Sequence, residues 1–204
     1  MILDSYELSA PAECYPVPMT DTLTTPRLKL RRWQEADREP FQRINADPRV
    51  MEFMPGVLPP NLSDEVFERI QRHFARQGFG LWAAELREDG AFLGFIGLSV
   101  PNFEAPFMPA VEIGWRLDAE YWGRGLATEG AHAAMRYGFE TLGLDSLVSF
   151  TVPGNVRSRR VMEKLGMTHD QRDDFDHPAL PVGHRLRRHV LYRIGRNQWN
   201  SMFE

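Results

Sequence analysis

The spacing of apolar residues changes period several times along the chain, and each change marks an element. "RLKLRRW" (27–33) alternates, with Leu28, Leu30 and Arg32 on one face, and predicts a strand. "QEADREPFQRINADP" (34–48) predicts a short helix that stops before Pro48, with Pro40 in an early turn or at a kink. In "LSDEVFERIQRHFARQG" (62–78), Val66, Phe67, Ile70 and Phe74 share a helical face. Ser63 is the expected N-cap, Asp64 and Glu65 suit the first turn, and Gly78 is the expected stop. "LWAAELREDGAFLGFIGLSV" (81–100) predicts a hairpin turning near Asp89-Gly90. "AVEIGWRL" (110–117) predicts a further strand, followed by a glycine turn and a helix to about Leu142. "SLVSFTV" (146–152) predicts a strand, "NVRSRRVMEKLG" (155–166) a helix ending at Gly166, and two more strands are expected around 167–176 and 187–194. Antiparallel runs on either side of one strand–helix–strand unit define an α/β fold with a mixed sheet.

Residues 1–22 lack such a period. Pro11, Pro16 and Pro18 interrupt them, so they are expected to form a flexible extension ahead of a single domain spanning 23–204. Composition narrows the function classes. The 204 residues are 43% hydrophobic, enough for one well-buried core, and the formal net charge is −4. A nucleic-acid binder normally leaves a basic footprint, and none is present. The single cysteine, Cys14, can form no internal disulfide, and no thiol cluster points to zinc. No apolar run is long enough to span a membrane and no signal-peptide pattern opens the chain, which fits a cytoplasmic protein.

Candidate chemistry gathers around "RLDAEYWGRGLATEGAHAAMRYGF" (116–139), where Gly123 and Gly125 lead straight into a helix. Backbone N–H groups from about Trp122 to Ala127, at a helix N-terminus, make a site for a pyrophosphate. Gly125 and Ala127 lack bulk that would obstruct it. A P-loop would end in Gly-Lys-Ser/Thr, which is missing. A dinucleotide fingerprint would carry a third small residue where Thr128 stands, and an acid after the next strand, where the chain reads "FTV". Small residues continue along the helix as Ala127, Gly130, Ala131, Ala134 and Gly138, allowing close approach to a sheet.

"YWGRGLATEG" followed by "NVRSRRVMEKLGM", with the opening "TPRLKLRRW", the strand "VEIGWRL" and the close "HVLYRI", resembles the GNAT acetyltransferase superfamily. The likeness covers roughly 24–195 and lies nearest the branch of ribosomal-protein N-terminal acetyltransferases. It implies a mostly antiparallel central sheet with splayed, parallel fourth and fifth strands and about four flanking helices. It also implies acetyl-CoA as acetyl donor and direct transfer to an amine. The pyrophosphate would rest on the N–H groups of Arg124, Gly125, Leu126 and Ala127, beside Gly123 and the Thr128 hydroxyl. Trp122 replaces the usual Gln or Arg at the opening of the turn, which leaves backbone contacts unaffected.

Transfer requires a neutral amine, a polarised thioester carbonyl and a stabilised thiolate. Glu112, among apolar residues on the strand that leads to the turn, is the candidate base, acting through ordered water, against the plainer reading of a solvent-facing glutamate. Asn155 suits an N-cap, and by resemblance would also hydrogen-bond the pantetheine arm. Ser158, by the same resemblance, would lie near the sulfur. Many members of the superfamily carry a tyrosine acid four residues later, where this chain has Met162, so Ser158 is the expected group for the departing thiolate, as a hydrogen-bond donor. Arg157, Arg159, Arg160 and Lys164 form a basic face, either a solvated surface or, with Arg159 or Arg160 preferred, a contact to the 3′-phosphate of the donor; Glu163 and Lys164 read as structural. The six histidines show no metal spacing, and no metal site is expected. His177 and His189 are candidates to line the acceptor pocket with Trp33 and Phe53. Asp173, Asp174 and Asp176 would attract a cationic amine to the mouth formed by residues 34–78 and 170–186. The acceptor is expected to be a protein N-terminus or a small-molecule amine, with neither nucleic acid nor membrane as partner and a monomer or homodimer as the working unit. A non-catalytic acyl-CoA-binding module is the rival class.

Overall fold

The computed structural model describes residues 21–202, and within them the chain builds one nine-stranded sheet. Its strands are β1 (Thr22–Thr24), β2 (Leu28–Arg31), β3 (Leu81–Leu86), β4 (Phe92–Ser99), β5 (Glu112–Leu117), β6 (Ser146–Thr151), β7 (Thr168–His169), β8 (Phe175–Asp176) and β9 (Arg188–Gly195). The order is β1-β2-β3-β4-β5-β6-β9-β7, with β8 also on β9. Every pairing is antiparallel except β5–β6, which is parallel. That pair shares a single register match, Glu112 with Val148, and one flanking bond from the Val148 N–H to the Val111 carbonyl, 3.0 Å. Beyond it the strands diverge and leave their facing backbone groups open. The expected mixed sheet with a splayed parallel pair is therefore present, the pair being β5 and β6 in this count.

Five helices flank the sheet: α1 (Arg38–Ala46), α2 (Pro60–Gln77), α3 (Leu126–Arg136), α4 (Val156–Lys164) and the short α5 (Arg196–Asn200). The last was not expected; it is fixed by Trp199, which stacks on Phe139 at 5.5 Å. α1 and α2 cover one face, where Phe41 meets Phe95 and Asn45 accepts from Arg116. α3 covers the other, and its small residues act as the sequence predicts. A Cβ at Gly130 would come 2.4 Å from Ile96 Cδ1, and one at Gly138 3.3 Å from Leu98 Cδ1. The helical path continues through a wider turn, Tyr137–Thr141, to Leu142.

Two local readings need correction. α2 begins at Pro60, three residues before the expected cap, because proline's fixed φ suits the first helical position and its missing N–H has no partner there to lose. Ser63 is consequently buried inside the first turn, where its hydroxyl accepts from Asn45 Nδ2 at 2.8 Å and ties α2 to α1. The strand expected over 167–176 is two short pieces, β7 and β8. Between them the Asp170 carboxylate accepts from the Arg172 N–H at 2.9 Å and forms a turn. The expected extension, with Cys14, lies outside the described residues apart from Asp21 and Thr22; Thr22 opens β1.

Candidate active site

The glycine turn comes first, because its shape decides what can bind. Gly123 and Gly125 have φ of +75° and +78°, a left-handed conformation open to glycine and strained for other residues. Gly125 is the N-cap of α3 and offers no side chain, and the first bond back into the turn runs from the Glu129 N–H to the Gly125 carbonyl, 3.0 Å. The N–H groups of Gly123 to Thr128 have no acceptor among the described residues. Together with the positive end of α3 they form a cradle for an anion. Trp122 contributes its ring as a wall: Nε1 donates to the Leu117 carbonyl at 2.9 Å, and the Arg157 guanidinium lies 4.5 Å over the ring.

A clasp that the sequence reading missed holds this turn. The Glu129 carboxylate accepts from Thr25 Oγ1 (2.6 Å), the Arg27 N–H (2.8 Å) and Arg27 Nε (2.6 Å), while Arg27 Nη1 donates to the Arg124 carbonyl (2.9 Å). Burial pushes the Glu129 carboxyl up, but the Thr25 and Arg27 bonds outweigh it and hold the group below its usual range. "TPRL" and the Glu of "ATEG" are thus one unit, although 102 residues separate Arg27 from Glu129.

A cavity of about 340 Å³ opens from the turn and is lined by Leu126, Ala127, Thr128, Asn155, Ser158 and the cations Arg49, Arg116, Arg157, Arg160 and Lys164. Arg49 and Arg157 have carboxylate partners, Asp47 with Glu120 and Glu52 respectively. Arg159 takes no part: it bonds Tyr192 Oη at 3.2 Å and the Pro153 carbonyl, on the far side of α4. Of the two arginines considered for a terminal phosphate, only Arg160 borders the cavity. Glu163 also turns to Tyr192, whose hydroxyl donates to it at 3.1 Å.

Asn155 caps α4 as expected, its Oδ1 accepting from the Ser158 N–H at 3.2 Å while Nδ2 donates to Thr151 Oγ1 at 3.0 Å. The Ser158 hydroxyl has no partner among the described residues. Both side chains also border a second cavity of about 990 Å³ on the α2 face, so the two spaces adjoin beside them. Glu112 borders the larger space. Its Oε2 lies 3.4 Å from Ser99 Oγ, and burial pushes the carboxyl up to about 8, against the opposite pull of that hydrogen bond.

The other walls of the larger cavity are partly those expected. Phe53, His177 and His189 line it, joined by Phe103 and Phe150. His177 sits 4.6 Å from the Phe103 ring and 5.2 Å from the His189 ring. Burial lowers both histidines, His177 to about 4, so they are uncharged at neutral pH. Trp33 is not in the cavity. It is buried against Phe41, Phe67 and Phe92, with Nε1 bonded to the Leu81 carbonyl at 2.6 Å. The acidic loop likewise does not face the cavity: Asp173 pairs with Arg193 (2.7 Å), Asp174 with His169 (2.7 Å) and Asp176 with Arg187 (3.2 Å). The sequence reading also missed His73, which bonds the Phe79 carbonyl through Nδ1 (3.0 Å) and accepts the Val100 N–H at Nε2 (3.1 Å). It is lowered to about 4 by burial and joins α2 to the sheet as a neutral ring. Among the described residues no group of three or more His, Cys, Asp or Glu could hold a metal, and no helix is long and apolar enough to cross a membrane.

The sheet opens at one parallel pair, with a glycine turn of unpaired N–H groups bordering one cavity and the Glu112 carboxyl bordering the other. Comparison with known proteins narrows this. Residues 27–168 match the model of the acetyltransferase (GNAT) domain. The chain is 34% identical over 196 residues to the FsC-acetyl coenzyme A-N(2)-transacetylase of Aspergillus fumigatus, covering 89% of this chain and 79% of that protein. It is 31% identical over 144 residues to YdaF, a candidate ribosomal N-acetyltransferase of Bacillus subtilis, covering 70% and 75%. A solved acetyltransferase of Agrobacterium tumefaciens superposes with a TM-score of 0.69 at 32% identity, over 86% of this chain and 94% of its own. The chain belongs to the GNAT acetyltransferase family and is an N-acetyltransferase; the family generally uses acetyl-CoA as donor.

Proposed function

We propose that this enzyme transfers the acetyl group of acetyl-CoA directly to a primary amine, and that the amine is the α-amino group of a polypeptide. The observation that carries the transfer reading is the meeting of the two cavities at Asn155 and Ser158, with the anion cradle at one end and Glu112 at the other. The free N–H groups of Gly123 to Thr128 suit the donor's pyrophosphate, and Arg160 with Lys164 suits its terminal phosphate. When bound, the donor supplies a thioester, an acyl group already activated toward amines. Asn155 would bond the pantetheine arm from its position at the head of α4. Ser158 would donate its hydroxyl proton in a hydrogen bond to the departing sulfur. Glu112, in its ionised form, would take the proton lost by the amine, directly or through water. A carboxyl lifted to about 8 is matched to this task, because an α-amine has a reference pKa of about 7.7 and both groups change charge in the same range.

A second reading, a small-molecule amine as acceptor, is favoured by the Aspergillus relative, whose name specifies an N(2) position of FsC. Release of free coenzyme A, followed by thiol detection with peptides and small amines in parallel, tests both. Release with peptides and not with small amines supports the first reading, and the reverse supports the second. Ser158→Ala turning over as fast as the parent enzyme would remove the thiolate role.

A further inference from the structure

The α2 wall of the acceptor cleft carries charge that the transfer reading leaves unused. Arg69, Arg72 and Arg76 fall on one face of α2 and border the cleft. The cleft's lining contains four arginines, these three and Arg116, against two glutamates, Glu65 and Glu112, in a chain whose net charge is −4. Arg116 is committed to Asn45 Oδ1 at 2.7 Å and to the Phe95 ring at 5.4 Å. Arg72 and Arg76 are exposed and form no ion pair among the described residues. Asp173, Asp174 and Asp176 do not line the cleft and are tied to Arg193, His169 and Arg187. The donor's phosphates do not account for the three arginines of α2 either, since these do not border the cavity at the glycine turn, where Arg49, Arg157, Arg160 and Lys164 stand with Arg116.

We propose that the acceptor is an acidic amino-terminal segment, bound in extended form with its carboxylates along Arg72 and Arg76. The spacing fits such a chain. Arg72 and Arg76, four helical residues apart, are separated by about 6 Å along the axis, close to the ~6.8 Å between alternate residues of an extended peptide. Acidic side chains at alternate positions point the same way and would meet successive arginines. A positive cleft on a negative protein also steers an acidic chain toward the site and repels a basic one. This proposal rests on the reading of a polypeptide α-amine as acceptor and narrows it to a class of sequence.

The test measures binding and turnover separately. A short peptide with glutamate at alternate positions after its first residue is compared with its glutamine counterpart, by fluorescence anisotropy, on the full chain saturated with coenzyme A. The glutamate peptide is expected to bind about tenfold more tightly at low salt, and the preference to vanish at high salt. The paired substitution Arg72→Ala with Arg76→Ala should abolish the preference, while Arg72→Lys with Arg76→Lys should retain it. Both positions are exposed, and an unchanged melting temperature confirms that each variant is folded. Equal affinity for the two peptides, or a preference that survives the alanine pair, overturns the proposal. So does a small amino dicarboxylate that competes for the site when the acidic peptide does not bind. Thiol release with the same peptides reports on the transfer reading alone: arginine-dependent binding without release would defeat that reading and leave the charge recognition standing.

Discussion

Glu112 illustrates how far a single side chain can be read in both folded-state and catalytic terms. Its carboxyl rises from 4.5 to about 8 on folding, so between those values the folded chain holds a proton that the unfolded chain has released. Raising the pH across that window therefore favours unfolding, and the loss levels off above about 8. Glu112→Gln, which removes this titration, is expected to melt at a higher temperature than the parent at pH 8, with the gap closing toward pH 4.5; a scanning-calorimetry series over pH reads it directly. The same variant should lower kcat/KM at all pH values and lose the part of its rise near 8 that an ionised base produces, leaving the part that belongs to the amine. Ser158→Ala is expected to lower kcat roughly tenfold with little change in the donor's KM, because the hydroxyl's bond strengthens only as sulfur gains charge. Asn155 could be read as the cap of α4 because an asparagine stands at a clear helix start, and the structure has it there. Trp33 and the aspartates of 173–176 were misplaced. Their surroundings are made by Phe67 on α2, Arg193 on β9 and other distant residues, and no local pattern reveals which partner will claim them.

Among the elements, the link between the approach to β2 and α3 sets the geometry of the glycine turn, the proposed donor site. Thr25, Arg27 and Glu129 fix the carbonyl of Arg124 and so aim the N–H groups that follow it. Arg27→Ala is expected to raise the donor's KM roughly tenfold, the loss of ~1.4 kcal/mol, while kcat changes little. Steady-state kinetics with the donor varied will separate these. Gly125→Ala should act on the same parameter, since a side chain at φ +78° costs about 1–2 kcal/mol and would pull the turn open. Most elements were legible from periodicity: α2, the β3–β4 hairpin, β5 and the long α3 stretch all follow the apolar spacing. The clasp was not, because "TPRL" reads as the approach to a strand and Glu129 as an ordinary first-turn acid. Helix α2 began early because a proline start competes with a serine cap and tertiary contact settles the outcome.

Over the whole molecule, β1 to β5 and β6 to β9 are two blocks of antiparallel ladder joined by the Glu112–Val148 contact and by the helices that cross between them. A donor arm lying in the opening would add contacts to both blocks. At a hundredfold excess over its Kd the donor is expected to stabilise the fold by about 2.7 kcal/mol, raising the melting temperature by roughly 5–10 °C. A shift seen with acetyl-CoA and absent with ATP would separate this site from a general nucleotide pocket. The gap carries a consequence for how the enzyme lives between turnovers. Its sheet is a zipper with the middle teeth missing, and a donor lying in the opening would be the slider that closes it. Amide exchange along the inner edges of β5 and β6 should therefore be fast in the empty protein and slow once donor is present. In a cell starved of donor, the same enzyme would be the less durable protein, its lifetime set by the supply of the molecule it consumes.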